Sequence, residues 1–303
     1  MGKLKILVTG SKGQLGNDLM AYLSGSKPQG SDEKPGFNSD IFDPLGVDID
    51  SVDITNRDAV LELFDQFRPN VVIHGAAFTA VDRCESEVDL AFAANAIGTR
   101  NIVEGARSQN CHVLYVSTDY VFDGTKSSAY NEWDSPNPLS QYGKSKLAGE
   151  KEVGVNSTIV RTSWVCGYNG SNMVKTVLKL LKSGTSLSFV DDQHGCPTFT
   201  ADLSKRLIEL ALSKRPGIFH ASNQGPTTWF DFARQIAQTY GYDKDRIEPI
   251  STEELVPKRP APRPMNSVLD NMAFRLSNID PMNMWEDSLS RLIADFKKNN
   301  VEF

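Results

Sequence analysis

A phenol and an ammonium group stand four residues apart in the segment Tyr142-Gly-Lys-Ser-Lys146. If this segment is helical, positions i and i+4 lie on one face of the helix, one turn apart. A positive charge beside a phenol favours the phenolate and lowers the pKa of tyrosine from its ordinary value of about 10. The spacing therefore predicts that Tyr142 donates or accepts a proton near neutral pH. Because Tyr-x-x-x-Lys also arises by chance in many helices, the pair needs independent support.

A glycine-rich turn near the N-terminus provides a second signal. The apolar run at residues 5–9 predicts a strand, residues 17–23 predict a helix, and between them the glycines follow the spacing G-x-x-G-x-x-G. In a dinucleotide fingerprint such glycines allow a tight turn, close approach of the pyrophosphate, and packing of helix on strand. The helix N-terminus then favours the anion. The turn predicts cofactor contacts from Gly10, Ser11, Lys12, Gly13, Gln14, Leu15 and Gly16, and a turn without a ligand is the alternative.

A threonine hydroxyl follows a later predicted strand, residues 112–116. Thr118 is expected to reach the same substrate carbonyl as Tyr142, while Lys146 holds the ribose hydroxyls of a nicotinamide cofactor. Hydride transfer to a carbonyl builds alkoxide charge, which such hydroxyls stabilise and then protonate. A strand-end hydroxyl that only caps the backbone is the alternative for Thr118.

Composition excludes several classes of function. The 303 residues carry a net charge of −6, which argues against a general nucleic-acid or anionic-membrane surface. The four cysteines form no C-x-x-C pair and the four histidines lack ligand spacing, so we expect no metal and reduced thiols. No apolar run approaches the ~20 residues that span a bilayer, and the first one leads into glycines rather than a cleavage site. We therefore expect a cytoplasmic protein.

Strand-like and helix-like segments alternate along the chain, which predicts an α/β fold with a Rossmann-type doubly wound parallel sheet. Its ligands should gather at the carboxyl ends of the strands. Residues 25–40 are rich in Gly, Pro, Ser and charge and predict a mobile loop. Residues 256–264 hold four prolines and cannot be helical. The remaining predicted strands are 70–75, 157–162, 187–190 and 217–222, and the remaining predicted helices are 90–108, 141–152, 173–182, 201–214, 229–240 and 285–298.

The glycine turn, Ser117-Thr-Asp119 and Tyr-x-x-x-Lys, in that order, resemble the extended short-chain dehydrogenase/reductase family. Finer motifs are similar to its dTDP-4-dehydrorhamnose reductase branch and cover nearly the whole chain. They are Gly10-Ser-Lys-Gly-Gln-Leu-Gly16, His74-Gly-Ala-Ala-Phe-Thr-Ala-Val-Asp82, Asn95-Ala-Ile-Gly98, Ser117-Thr-Asp-Tyr-Val-Phe-Asp-Gly124, Arg161-Thr-Ser-Trp164, Asp191-Asp-Gln-His-Gly-Cys-Pro-Thr198 and Arg263-Pro-Met-Asn-Ser267.

This resemblance implies NADPH-dependent reduction of a nucleotide-linked 4-keto-6-deoxyhexose to dTDP-L-rhamnose, with NADH as the alternative cofactor. It assigns catalysis to Thr118, Tyr142 and Lys146. Cofactor contacts are expected from Asp53 and Ile54 near the adenine and from Ala76, Ala77, Thr79 and Asn95. Substrate contacts are expected from Val81, Thr118, Asp119, Trp164, Asn172, Arg263, Asn266 and Ser267.

The resemblance also implies a smaller mixed α/β C-terminal domain for the sugar nucleotide. We expect residues 1–167 and 191–224 to bind the dinucleotide, and residues 168–190 and 225–303 to bind the substrate. An arginine such as Arg263 presents a fork to a diphosphate. Trp164 is expected to stack on a sugar face, with a core tryptophan as the alternative. A dTDP-sugar is the expected partner, without nucleic acid or membrane, for a monomer or a homodimer.

Cofactor choice depends on the end of the second strand. Asp48 is expected there and would accept a hydrogen bond from the adenine-ribose 2′-hydroxyl, which favours NADH. Lys12 or Arg83 would instead attract a 2′-phosphate. The resemblance tolerates both dinucleotides and favours NADPH.

Three rival functions remain at this point. A dehydratase should carry an acid where Tyr120 follows Ser-Thr-Asp, so the motif favours a simple reductase over an epimerase or dehydratase. A reductase of another dTDP-ketosugar shares all these residues. A non-catalytic regulatory subunit, similar to the beta subunit of methionine adenosyltransferase, is disfavoured by the presence of Thr118, Tyr142 and Lys146.

Overall fold

A computed structural model of the chain describes residues 2–31 and 39–303. Strands and helices alternate along most of its length. The strands are β1 (Leu4–Thr9), β2 (Phe42–Val47), β3 (Val71–His74), β4 (His112–Thr118), β5 (Thr158–Thr162), β6 (Val165–Cys166), β7 (Leu187–Val190), β8 (His194–Gly195), β9 (Thr198–Phe199), β10 (Gly217–His220), β11 (Thr227–Thr228) and β12 (Ile247–Ile250). The helices are α1 (Gln14–Leu23), α2 (Arg57–Phe67), α3 (Val81–Ser86), α4 (Val88–Phe92), α5 (Gly98–Ser108), α6 (Gln141–Val153), α7 (Met173–Lys182), α8 (Thr200–Ser213), α9 (Trp229–Tyr240), α10 (Met272–Leu276) and α11 (Trp285–Lys298).

The central sheet is wholly parallel. Within residues 2–31 and 39–303, six strands pair in the order β10-β5-β4-β3-β1-β2. After β1 the chain builds outwards to β2, returns to β3 and then builds in the opposite direction. The strand order therefore reverses between β1 and β3, and in such folds ligands bind at the carboxyl ends of the strands at this switch point. The predicted doubly wound sheet is confirmed.

Alternating strand residues bury opposite faces of the sheet under different helices. On one face, Ile6 and Val8 of β1 belong to a buried cluster with residues of α1, α8 and α10. On the other face, Leu7 packs in a cluster with residues of α2 and α5. Both faces of the sheet are therefore buried, which explains why the sequences of these strands are continuous apolar runs.

A second buried cluster lies in the C-terminal half. It joins α7, α9 and α11 to β7 and β12, which pair in parallel. Helix α7, strand β7 and helix α9 occupy the predicted positions residue for residue.

The second strand is an edge strand that carries a proline and a glycine. Pro44 is tolerated because β2 pairs only with β1 within the described residues. A Cβ on Gly46 would lie 2.7 Å from the Cβ of Ser11, so this position lets the glycine-rich turn approach. Strand β2 ends at Val47, and Asp48 follows it as predicted.

One local prediction needs correction. The predicted helix over 90–108 contains a π-helical turn, Ala93–Ile97, between α4 and α5.

The loop predicted at 25–40 includes residues 32–38, which lie outside the described residues. Its described part contacts the C-terminal helix and the residue after it, because Gly30 N donates to Asp295 Oδ2 at 2.6 Å and Asn299 Nδ2 donates to Gln29 Oε1 at 3.1 Å. The mobility of this loop stays a prediction.

No helix in the described part of the chain combines the length and the apolar character needed to cross a membrane.

Candidate active site

A cavity of about 980 Å³ opens at the switch point of the sheet. Its walls come from the turn after β1, the segments after β2, β3, β4 and β5, and the start of α6 and α9. Predicted residues make up much of this wall. They are Gly10, Lys12, Gly13, Gln14, Leu15, Gly16, Asp48, Asp53, Ile54, Ala76, Ala77, Thr79, Val81, Thr118, Asp119, Tyr142, Lys146 and Trp164.

The glycine-rich turn has the geometry of an anion site. Gly10 has φ +72°, and a Cβ there would lie 2.9 Å from Ala76 N. A Cβ on Gly16 would lie 2.1 Å from Gly10 O, so the helix could not approach the strand. Gly13 is the N-cap of α1 and caps it with no side chain, which leaves N–H groups of the first turn available to an anion. Ser11 fixes the turn through its N–H, which donates to Val47 O at 3.1 Å.

Asp48 and Lys12 meet at the far end of this turn. Asp48 Oδ2 accepts from Lys12 N at 2.9 Å, and Asp48 Oδ1 accepts from Ile49 N at 2.8 Å. The Lys12 ammonium forms an exposed ion pair with Asp50. A carboxylate and a cation therefore stand together where the second strand ends.

The other predicted cation, Arg83, is placed elsewhere. Its guanidinium pairs with Glu87 at 2.8 Å on α3 and lies outside the cavity wall. Asp53 lines the cavity, and its Oδ1 accepts from the N–H and the hydroxyl of Thr55 at 2.9 and 2.8 Å.

The predicted catalytic residues converge at the opposite end of the cavity. Thr118 is the last residue of β4, and Tyr142 and Lys146 lie on α6, whose N-cap Ser140 accepts from Gly143 N at 3.1 Å. The Thr118 and Tyr142 side chains both line the cavity and lie close enough for Thr118 to affect the pKa of Tyr142. The two hydroxyls therefore share one part of the cavity wall.

The expected lowering of the Tyr142 pKa is wrong for this structure. Burial raises the pKa of Tyr142 well above its ordinary value, and the nearby Thr118 side chain opposes this only in part. Burial also lowers the pKa of Lys146 to about 7. Lys146 Nζ donates to Val116 O at 2.7 Å. The sequence argument assumed a fixed cation, whereas a buried lysine loses much of its charge near neutral pH.

Asp119 follows Thr118 on the same wall. Its Oδ1 accepts from the Thr118 hydroxyl at 3.0 Å, and a side-chain hydrogen bond links it to Ser267. Burial raises the pKa of Asp119 to about 6. Asp119 Oδ2 is buried and has no partner among the described residues.

Asn95 supports the wall instead of lining it. It lies in the π-helical turn, fully buried, and its amide donates to Phe78 O at 3.1 Å and to Ser145 Oγ at 2.9 Å. Its Oδ1 accepts from Phe78 N at 2.8 Å. Asn95 therefore supports the segment after β3, and its direct contact with the cofactor stays a prediction.

Trp164 and Trp229 form a stacked pair on the cavity wall. Their ring centroids are 3.6 Å apart with planes 10° apart, so Trp229 covers one face of Trp164. Trp164 has φ +44°, and a Cβ on Gly195 would lie 2.4 Å from its indole. Trp229 was missed from the sequence, because at the start of α9 it looks like an ordinary residue of an amphipathic helix.

Four predicted substrate residues lie outside the cavity wall. Asn172 caps α7 and donates to Gln14 Oε1 at 2.9 Å. Asn266 donates to Lys126 O at 2.7 Å in a separate cleft, and Ser267 N donates to His194 O at 2.8 Å. These side chains hold neighbouring segments in place.

Arg263 is the fourth predicted substrate residue that lies outside the cavity wall. Its guanidinium donates to the Asp82 carboxylate through both terminal nitrogens, with Nη2 2.8 Å from Oδ2. Arg263 Nε is buried and lacks a partner among the described residues. The Arg263 guanidinium, which was expected to bind a diphosphate, is thus paired with the Asp82 carboxylate. Asp82 follows Val81, which lines the cavity.

Within the described residues, His, Cys, Asp and Glu side chains nowhere gather in a group of three or more that would hold a metal ion.

Comparison with known proteins agrees with this geometry. Residues 4–298 match the family model described as RmlD substrate binding domain. The chain is 37% identical over 294 residues to the spore coat polysaccharide biosynthesis protein SpsK of Bacillus subtilis, covering 96% of this chain and 97% of that protein. It is 36% identical over 308 residues to the dTDP-4-dehydrorhamnose reductase of Aggregatibacter actinomycetemcomitans, covering 96% and 98%.

A solved structure is similar over the same length. The dTDP-4-dehydrorhamnose reductase of Bacillus anthracis, in complex with NADP, superposes with a TM-score of 0.88 at 36% identity, covering 97% of this chain and 99% of that one. The chain belongs to the RmlD substrate-binding-domain family.

Proposed function

We propose that the chain is an NADPH-dependent oxidoreductase that reduces the 4-keto group of a dTDP-linked 6-deoxyhexose, converting dTDP-4-dehydro-L-rhamnose to dTDP-L-rhamnose. This proposal rests on the Thr118 and Tyr142 hydroxyls, which line one end of a cavity whose other end is the glycine-rich turn. Relatives named dTDP-4-dehydrorhamnose reductase, one of them solved with NADP, support it.

The cavity has the shape that a dinucleotide requires. Gly10 and Gly16 let the turn pack tightly on the backbone around it, and the pyrophosphate would lie against the start of α1, where Gly13 carries no side chain. The adenine would lie by Asp53 and Ile54, and the nicotinamide end by Ala76, Ala77 and Thr79. The bound cofactor supplies the hydride.

Protein side chains handle the charge that develops on the substrate oxygen. Tyr142 donates its proton to the forming alkoxide, and the raised pKa keeps the phenol protonated beforehand. Thr118 donates a hydrogen bond to the same oxygen. Lys146, as an ammonium, binds ribose hydroxyls and offsets the negative charge.

Cofactor preference follows from Lys12 and Asp48. Lys12 reaches the ribose end of the turn and attracts a 2′-phosphate, whereas Asp48 accepts from a 2′-hydroxyl. With both present, NADPH is preferred and NADH is accepted.

We assign dinucleotide binding to residues 1–167 and 191–224, which include the six central strands, and sugar-nucleotide binding to residues 168–190 and 225–303. The two buried cores do not divide at these bounds, because Ala273 and Phe274 pack in the central-sheet cluster and Cys166 and Phe199 in the other. The enzyme acts in the cytoplasm, as a monomer or homodimer, without nucleic acid or membrane.

Turnover with defined substrates tests the proposal. Purified protein is mixed with dTDP-4-dehydrorhamnose and NADPH carrying deuterium at C4, and oxidation of the cofactor is followed together with the mass of the sugar nucleotide. We expect one deuterium in the product and none with Tyr142→Phe in the same time. If the cofactor is oxidised only with another dTDP-ketosugar, that sugar nucleotide replaces dTDP-4-dehydrorhamnose as the proposed substrate. Absence of oxidation with every ketosugar would overturn the reductase in favour of a regulatory role.

A further inference from the structure

A buried ion pair lies directly behind the proposed catalytic residues. Arg161 Nε and Nη2 donate to Glu150 Oε1 and Oε2 at 2.9 and 2.7 Å. The two side chains are 2% and 5% exposed, respectively. A buried ion pair is a poor source of stability, because desolvation offsets most of the attraction. The position of the pair therefore calls for a functional explanation.

Glu150 touches both elements that carry the catalytic hydroxyls. It lies one turn after Lys146 and two turns after Tyr142 on α6. Its Oε1 also accepts from Ser117 Oγ at 2.6 Å, and Ser117 immediately precedes Thr118. Glu150 thus ties the end of β4 to α6.

Arg161 fixes this carboxylate from the neighbouring strand. Ser117 and Arg161 are register partners between β4 and β5. The Arg161 guanidinium lies 5.2 Å from the centre of the Phe122 ring. Its Nη1 is buried without a partner among the described residues. The guanidinium is therefore held by Glu150 alone within the described part of the chain.

Among residues 2–31 and 39–303, no carboxylate is in direct contact with Lys146. Its Nζ donates to Val116 O at 2.7 Å and lies 4.1 Å from the centre of the Tyr115 ring. The side chain is almost completely buried. An ammonium in this position depends on more distant charge.

In the part of the chain that the structure describes, titratable side chains of three elements lie near Lys146. Tyr115 on β4 and Tyr142 on α6 have pKa values raised by burial, and burial lowers the pKa of His74 on β3 to about 3, so all three are neutral at pH 7. Glu150 is, within the described residues, the carboxylate whose charge favours the protonated form of Lys146.

We propose that Glu150 is a positioning residue of the reductase site: its carboxylate increases the fraction of Lys146 that is protonated and, through Ser117, fixes the strand end that carries Thr118. Arg161 holds that carboxylate in place. This inference rests on the proposed function for its catalytic meaning, whereas the charge coupling between Glu150 and Lys146 is a property of the protein without substrate.

The central variant is Glu150→Gln combined with Arg161→Met. Glu150→Gln alone would leave a buried guanidinium without a counter-ion and is expected to destabilise the fold strongly, whereas a neutral pair of similar volume is commonly tolerated. Glu150→Asp is the conservative control that retains the charge. Thermal unfolding verifies that each variant is folded.

The first readout is the protonation of Lys146 in the protein without ligands. Protein labelled with ¹³C at lysine Cε is titrated by NMR, and the Lys146 signal is the one missing from Lys146→Met. We expect the midpoint to fall by about one pH unit in the double variant, the size of effect that a nearby charge exerts. Glu150→Asp should leave it near the parent value. An unchanged midpoint in a folded double variant would overturn the proposal.

The second readout is kcat/KM against pH, which reports ionisation of the free enzyme. In the double variant the fall at alkaline pH should begin about one pH unit lower, with KM for the sugar nucleotide little changed. A parent enzyme that turns over no ketosugar would overturn the proposed function, and the NMR titration would still decide on Glu150. If the parent turns over the ketosugar and the pH profile of kcat/KM is the same in the double variant, the proposed function is retained and the positioning role of Glu150 is rejected.

Discussion

Thr118 and Tyr142 meet in one wall of the cavity from two different elements, the last residue of β4 and the first turn of α6. The sheet fixes the first hydroxyl and the Ser140 cap fixes the second. Two donors on rigid elements are preorganised for an oxyanion, since little reorganisation is needed when charge develops.

Tyr142→Phe should remove the proton donor while the ring packing is kept. We expect kcat to fall by about 10²–10⁴, the usual range for a general acid, with NADPH affinity nearly unchanged. Stopped-flow cofactor oxidation and a fluorescence titration of NADPH measure the two quantities. A variant with more than half the parent rate would remove Tyr142 from the mechanism.

The sequence located this pair of hydroxyls but misjudged its electrostatics. Spacing on a helix places Tyr142 and Lys146 on one face, and the run before Thr118 predicts a strand end. Neither pattern reveals that both side chains are buried, because burial depends on what the rest of the chain packs above them. Desolvation then dominates both pKa values.

Lys146→Met should make the protein more stable and inactive. The pKa of Lys146 is lowered by burial from 10.5 to about 7, so the folded state binds fewer protons than the unfolded state between these values. The penalty is absent above pH 10.5, grows as the pH falls and is complete below about 7. We expect methionine to add about 1–4 kcal/mol to the free energy of unfolding at pH 6, measured in urea. A destabilised variant would contradict a buried ammonium.

Asp48→Asn tests cofactor choice. It removes repulsion of a 2′-phosphate and keeps a hydrogen-bonding side chain beside Lys12. We expect the ratio of kcat/KM for NADPH over NADH to rise roughly fivefold, about 1 kcal/mol for a partly solvated charge. Steady-state kinetics with both cofactors at one ionic strength measures the ratio. A flat ratio would place Asp48 away from the ribose.

A diphosphate would have to compete with Asp82 for Arg263, because the Arg263 guanidinium already donates to the Asp82 carboxylate. If Arg263 binds the diphosphate, Arg263→Ala should weaken sugar-nucleotide binding by about 2–5 kcal/mol. Asp82→Asn should then tighten binding, since it removes the competing carboxylate. Calorimetric titration with dTDP measures both. If each variant only lowers the melting temperature, the pair is structural.

The contacts that the sequence did not predict have one physical cause in common. Asn95 in a π-helical turn, Trp229 against Trp164, and Asp82 on Arg263 all depend on contacts between residues far apart in the chain. Local periodicity and glycine spacing predicted where strands, helices and the turn begin. They carry no information on which side chains meet across the cavity.

Asp18 gives a test of how α1, which begins at the glycine turn, is anchored. Its carboxylate is 2% exposed, accepts from the Thr200 hydroxyl and is hydrogen-bonded to the Asn169 side chain. Burial raises its pKa from 3.8 to about 6, so the folded state binds more protons than the unfolded state between these values. Stability from this group is complete below pH 3.8 and is lost as the pH rises through 6.

Asp18→Asn keeps the size and the acceptor for Thr200 but cannot ionise. The variant should therefore match the parent at acid pH and exceed it above pH 6 by at most about 3 kcal/mol in the free energy of unfolding. Urea unfolding from pH 4 to 8 measures the difference, with Asp58→Asn, on the exposed side of α2, as the matched surface control. A pH-independent difference would mean that Asp18 stays ionised, and that its hydrogen bonds, rather than its burial, govern the charge beneath the dinucleotide turn.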